Sequence, residues 1–382
     1  MKKEKFNALT INLWKRRCAF NNTIEKIKEL RANNRWQELI DYLKPIIEFG
    51  DRRVEHLSAL GFAYSQLNKY HEARYCYKQW LELEPGKAQP YYCIGYTFYD
   101  NQEWKEAIEW FDQALEIFPE YLVCLYRKGV AQYNHLKSRK AKETLTKAIK
   151  VYQQHHDEWY LRTQAKYFFK SIFYLGKAYY DLEQYNNALA CFKKIAEEDQ
   201  RNYIDPLFKK YNLAKSFFGL QRFSEAIEIL QSLIKGKGAR EYVYDLLARV
   251  QFAQGKHDEA FRSYLRALQL RPASYIFFHR GQMHEALNHV ADAERDYHQA
   301  LKRDKKGKHK ILLTLGKLAM RQKHLNEAKS YILRAIEFKK KIYDADYAEA
   351  HLALAEYYHL TGQEDLSQAE YARASELLRE WV

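Results

Sequence analysis

The sequence predicts an all-α protein, a solenoid of about ten helix-turn-helix repeats. Three observations predict it. Gly61, Gly95 and Gly129 stand 34 residues apart. An alanine follows each glycine twelve residues later, and a large apolar residue four beyond that. Proline is scarce, at six in 382 residues, and glycine, at 14, is low for a loop-rich or all-β chain. A fixed period of this length is the mark of a repeat array.

The repeats run in order. "RWQELIDYLKPIIE" reads as the second helix of a degenerate first copy, with Ile27 in the glycine slot. Regular copies follow with Gly61, Ala73, Tyr77 and Pro85, then Gly95, Ala107, Phe111 and Pro119, then Gly129, Ala141 and Leu145. Gly176 comes 47 residues after Gly129, an insertion of 13 residues around "QQHHDEWYLRTQAKY". The frame returns at Gly176, Ala188 and Phe192, and at Ala214, Ala226 and Leu230. Ala248, Ala260, Tyr264 and Pro272 continue it, then Gly281, Ala293 and Tyr297, then Gly316, Ala328 and Ile332. A looser last copy holds Ala355, Ser367, Tyr371 and Ala374.

Each copy reads as two amphipathic helices joined by a short turn such as "LNKY", "NQEW" or "LEQY". The small residue lets the first helix press on the second, and the aromatic fills the space between them. Proline after the second helix ends it. One hairpin cannot bury its apolar face, so stacking must supply the core.

This pattern resembles the tetratricopeptide repeat family, closely from about Val54 to Lys340 and more weakly over 20–53 and 348–382. The resemblance implies a right-handed superhelix whose inner wall is made by the first helix of each repeat. It implies an adaptor that holds an extended peptide or partner helix in that groove. Three segments are expected: a basic N-terminal extension at 1–19, repeats over 20–168 with the insertion near 152–168, and repeats with a capping helix over 169–382.

Formal net charge is +14, and it is uneven. Residues 1–35 carry ten Lys or Arg against three Glu, and "KRDKKGKHK" (302–310) carries six against Asp304. Such charge suits acidic proteins, RNA or an anionic surface. Five cysteines without C-x-x-C spacing support neither a disulfide framework nor a zinc site, and fit a reducing compartment. The apolar stretch near the N-terminus is short, broken by Asn7 and Asn12 and followed by Lys15-Arg16-Arg17, unlike a signal peptide. A cytosolic location is expected.

Motifs for catalysis are missing. There is no G-x-G-x-x-G, Walker loop or G-x-S-x-G, so an enzyme is not expected, nor a cofactor. "KGKGA" at 235–239 falls where a turn between repeats is due. "HEALNH" (284–289) places its second histidine one residue late for a zincin. On one helix the two imidazoles would diverge by roughly 140°. "HHDE" (155–158) gathers four metal-ligand types, but polar clusters at helix ends are common. No metal is expected.

The inner wall carries the functional expectation. Family geometry turns positions 2, 5, 9, 12 and 13 of each first helix toward the groove. In the repeat holding Gly95 these include Tyr92, Tyr96, Tyr99 and Asp100. The three tyrosines fall within roughly 60° of one another on a helix, about 100° from the stripe of Tyr91, Ile94, Gly95 and Phe98. Neighbouring repeats repeat the pattern with Tyr126 and Tyr133, Phe173 and Tyr180, Tyr211 and Phe218, Tyr242 and Phe252, and Tyr275 and Phe278. Lys170, Lys177, Lys215, Arg249, Lys310, Lys317 and Arg321 stand beside them. Position 12 is expected to pack between helices, and positions 5 and 9 to be exposed.

Such an aromatic and basic ladder suits a peptide with aromatic or acidic anchors. Single-stranded RNA stacking on the rings is the second reading, and a peptide-sensing regulator hinged at the insertion the third. The family's carboxylate clamp needs Asn beside Lys and Arg at groove positions. That set is not found, which argues against chaperone tails as ligands.

Overall fold

A computed structural model of the protein describes residues 21–135, 138–236 and 239–380. The expected basic extension (1–19), with Cys18, lies outside them, as do Lys237 and Gly238 of "KGKGA". The described residues form twenty α-helices and no strand. Their contacts group into two compact units, one through Ile204 and one from Asp205.

The first unit holds residues 21–32 as α1, then α2 (Trp36–Glu48), α3 (Val54–Gln66) and α4 (Tyr70–Leu83). It continues with α5 (Ala88–Asp100), α6 (Trp104–Ile117), α7 (Leu122–Asn134), α8 (Ser138–Gln154), α9 (Glu158–Asp181) and α10 (Tyr185–Glu198). The second unit holds α11 (Pro206–Gly219), α12 (Phe223–Lys235), α13 (Glu241–Ala253), α14 (His257–Leu270) and α15 (Ser274–Ala286). It ends with α16 (Val290–Arg303), α17 (Lys308–Arg321), α18 (Leu325–Tyr343), α19 (Ala348–Leu360) and α20 (Glu364–Glu380). Ten hairpins result, as the repeat count predicts.

The turn inside the hairpins recurs. One residue after the first helix takes a left-handed conformation, at Asn34, Asn68, Gln102, Glu183, Gln221, Gly255, Asn288, Lys323 and Gly362. Its successor then donates its amide back to the closing helix, as Lys69 does to the Tyr64 carbonyl at 2.9 Å and Glu103 to Phe98 at 2.9 Å. This reverses the chain in a few residues and sets the second helix against the first.

Packing follows the sequence slots. A Cβ on Gly95 would lie 2.9 Å from the Phe111 ring, and one on Gly129 2.6 Å from Leu145. Glycine is there because the helices meet backbone to side chain, leaving no room for a methyl group. Ala73, Ala107, Ala141, Ala188, Ala226, Ala260, Ala293 and Ala328 are fully buried on the opposite side of that contact. Pro85 and Pro119 follow the ends of α4 and α6. Pro206 opens α11 behind Asp205, whose carboxylate accepts the Leu207 amide at 2.7 Å.

The insertion adds length to helices. α8 runs 17 residues and α9 runs 24, where most helices here have 13 or 14. The acidic end of "HHDE" serves the backbone, since Asp157 caps α9 by accepting the Tyr160 amide at 2.6 Å. Position 168 falls inside α9, within the first of the two compact units.

Cys76, Cys93, Cys124 and Cys191 are free thiols. Burial pushes Cys76, Cys93 and Cys191 up to about 12, so they stay protonated and unreactive near neutrality. Among the described residues, no helix is long and apolar enough to cross a membrane.

Candidate functional site

In the first unit aromatic side chains meet one another on α5, α7 and α9. Tyr92, Tyr96 and Tyr99 follow one another at i, i+4 and i+7 on α5. Their rings stack in sequence, Tyr92 on Tyr96 and Tyr96 on Tyr99, each with centres 6.1 Å apart. From α7, the Arg127 guanidinium lies over the Tyr96 ring at 3.9 Å and near Tyr99 at 5.2 Å. Its Nε donates to the Tyr92 hydroxyl at 2.9 Å. One arginine thus ties three tyrosines together.

The ladder continues on α9. Tyr126 sits between Tyr167 and Tyr174, with ring centres 5.7 and 6.4 Å away. Tyr133 meets Tyr174 edge-on at 5.8 Å. Lys177 lies over both rings, its Nζ 4.6 Å from Tyr133 and 4.9 Å from Tyr174. Phe173 turns its edge to Tyr174 at 5.7 Å.

Charge here is only partly balanced. Burial pulls the Lys170 ammonium below its ordinary value, and nearby Lys166 and Arg127 lower it further. Lys177 is also lowered by burial, with Asp181 opposing. Neither Arg127 nor Lys170 makes an ion pair with a carboxylate among the described residues. Burial pushes the Asp100 carboxyl up, while the Tyr96 hydroxyl and Arg127 hold it down. Tyr99 is raised to about 12 by burial, so the rings stay neutral hydroxyl donors.

The second unit differs. Tyr211 meets Tyr242 edge-on at 4.9 Å, and Tyr242 stacks on Phe208. Arg249 lies 5.1 Å over Phe218. Carboxylates interrupt this run: His279 Nδ1 is 2.9 Å from Asp245, and Tyr275 packs beside His279. Phe278 packs on the fully buried Tyr297. Phe252 packs on His257. Arg321, expected to face a ligand, is paired with Glu285. Lys310 and Lys317 are exposed on α17.

Two expectations need correcting. Positions 5 and 9 are not generally exposed. Tyr126 is buried at 7% exposure, and Tyr92, Tyr96, Phe173, Lys177, Tyr211, Lys215, Arg249 and Phe278 are half-buried. Nor are the α5 tyrosines separate from the core. Tyr92 packs on Phe111 and Tyr121 at 5.8 and 5.1 Å, and Tyr99 on Trp104 at 5.4 Å. Consecutive first helices lie close enough for large side chains to span the seam, so each ring covers its neighbours. Tyr99, Tyr133, Lys170, Tyr180 and Tyr242 are half-buried as well, while Tyr275 is exposed at 36%.

Sequence reasoning missed Arg127, Lys166, Tyr167 and Tyr174. Arg127 follows groove position 126 by one residue, and only its long side chain brings its charge onto Tyr96.

The one-helix argument about "HEALNH" also fails. α15 stops at Ala286, and Asn288 turns the chain with φ +58°. The His289 amide donates to the His284 carbonyl at 2.8 Å, and the two imidazole centres lie 6.0 Å apart.

Sequence profiles described as tetratricopeptide repeat match residues 57–87, 88–121, 123–155, 170–202, 211–275 and 309–342. The chain belongs to the tetratricopeptide repeat family. No curated protein matches it in sequence. Among solved structures, a tetratricopeptide repeat protein from Parabacteroides merdae is similar at 18% identity and TM-score 0.58, covering 70% of this chain and 98% of that one. Yeast Tom70 matches at 20% identity and TM-score 0.41, covering 86% of this chain and 76% of its own. Human IFIT1, as a dimer with PPP-AAAA, matches at 17% identity and TM-score 0.47, covering 85% and 73%. At such identities the likeness concerns the fold. As a tetratricopeptide repeat protein, the chain is a repeat scaffold of the kind that mediates binding.

Proposed function

We propose that the protein is a non-enzymatic adaptor that captures an extended, acidic protein segment on the tyrosine and cation wall of α5, α7 and α9. The observation that carries this reading is Arg127, half-buried over Tyr96 and against Tyr92 and Tyr99, with Lys170 half-buried nearby, neither in an ion pair with a carboxylate among the described residues. A half-buried cation outside ion-pair reach of a carboxylate is costly, and an acidic side chain supplied by a partner relieves that cost. The tyrosines offer flat apolar contact with a hydroxyl tip and little rotamer entropy to lose.

Stacking of RNA bases is the second reading, favoured by the +14 charge. The ring arrangement speaks for the peptide. Tyr92, Tyr96 and Tyr99 spend their faces on one another, and Arg127 covers Tyr96, so hydroxyl edges rather than open ring faces are presented.

An array of extended peptides varying in acidic and aromatic content tests the reading, with single-stranded oligonucleotides alongside at low salt. Wild type is expected to retain acidic aromatic peptides, and Lys170→Glu to lose them while keeping its helicity. Retention of oligonucleotides with no peptide retained would transfer the function to nucleic acid. Equal peptide retention by Lys170→Glu would remove this wall as the site.

A further inference from the structure

We propose that His284, His289 and Asp292 form a binding site for a divalent transition metal, Zn2+ being suited by the two imidazole ligands, at the turn between α15 and α16. One ring nitrogen of each histidine and a carboxylate oxygen of Asp292 lie within 4.8 Å of one another. Two imidazoles and one carboxylate form a common donor set for zinc and its neighbours, leaving a further position to water.

The turn creates the arrangement. Because α15 ends at Ala286 and the chain reverses at Asn288, His289 folds back over His284 while Asp292 comes up from the first turn of α16. His284 is the prepared member. Its Nδ1 is buried and lacks a hydrogen-bond partner, an arrangement that a buried polar atom rarely keeps. Its Nε2 faces Asp296 at 3.8 Å, and Asp296 is fixed by Arg280 through bonds of 2.6 and 2.7 Å. At 3.8 Å Asp296 acts by its charge and not by a hydrogen bond, favouring the proton on Nε2 over Nδ1.

Arg280 adds no free positive charge, since Asp296 neutralises it. Arg295 holds Asp292 at 2.9 Å from a largely exposed position, and such a surface pair yields to a metal. Drawing the donors in from 4.8 Å takes about 1.5 Å of approach to reach tetrahedral spacing, which the exposed His289 can supply.

Titration of the tag-free, chelator-treated full chain with Zn2+ tests this, followed by calorimetry and by the visible absorption of Co2+ as a substitute. Wild type is expected to take up one equivalent with a Kd of about 10 µM or tighter. His289→Ala and Asp292→Asn, both surface changes, are expected to weaken it about ten-fold or more. They should also lose the tetrahedral Co2+ band, with helicity unchanged. Uptake by both variants with wild-type affinity and stoichiometry would overturn the site. So would a wild-type chain that binds no Zn2+ at about 100 µM.

Discussion

The Arg127 guanidinium lies 3.9 Å from the centre of the Tyr96 ring while donating to the Tyr92 hydroxyl, so one α7 side chain organises two turns of α5. A half-buried cation–π contact is worth about 1–2 kcal/mol, and a hydrogen bond from a charged group about as much. Arg127→Ala is expected to cost about 2–3 kcal/mol of stability, read as a lower urea midpoint. Arg127→Lys keeps the charge but cannot both cover Tyr96 and bond Tyr92, so it is expected to recover only part of that.

Gly95 offers a sharper steric test. Gly95→Ala would place a methyl group 2.9 Å from the Phe111 ring and 3.1 Å from Trp110 Cβ. Phe111 is fully buried and cannot swing aside. Overpacking is expected to outweigh the helix gain, for a net loss of about 1–3 kcal/mol by chemical denaturation. Gly86→Ala, with nothing within 4 Å, is expected to be nearly neutral.

The Arg280–Asp296 pair joins α15 to α16 through two hydrogen bonds, with Asp296 only 3% exposed. Arg280→Ala strands that carboxylate and is expected to cost about 3–5 kcal/mol, read as a lower thermal midpoint. Arg280→Ala with Asp296→Ala should recover much of the loss, because the uncompensated charge goes with the second change.

His309 sets a pH dependence. It is buried at 1% exposure among Phe338, Tyr343 and Tyr347. Burial holds its imidazole down to about 4, with Lys339 and Lys310 helping and the Lys306 backbone and Asp304 opposing. The unfolded chain takes up this proton near 6.5, so between about 6.5 and 4 it binds more protons than the native state. Stability is therefore full above about 6.5 and falls as pH drops toward 4. Thermal midpoints measured from about pH 7.5 down to about pH 5 should show the decline, and His309→Phe should flatten it.

The repeat frame was legible because each hairpin answers to local rules. Gly95 meets Phe111 sixteen residues away, and Asn68 and Gln102 close short turns, so spacing along the chain carries the geometry. The candidate site was legible only in its residue types. Its tyrosines stood at groove positions, yet their exposure depended on how closely α5, α7 and α9 pack, and linear spacing does not encode that. Arg127 was missed because its neighbour Tyr126 held the expected slot. The partnership of His284 and His289 was misjudged because a continuous helix was assumed where the chain turns at Asn288.

The sequence by itself determined an all-α repeat chain, its hairpin count and the slots where small residues meet large ones. Those features rest on contacts within about 34 residues, which a periodic sequence states directly. Tertiary structure alone decided which aromatics were consumed by packing, where Arg127 placed its charge, and that three residues around a turn share one small volume. These depend on the approach of separate helices and on the reach of single side chains, quantities no period records.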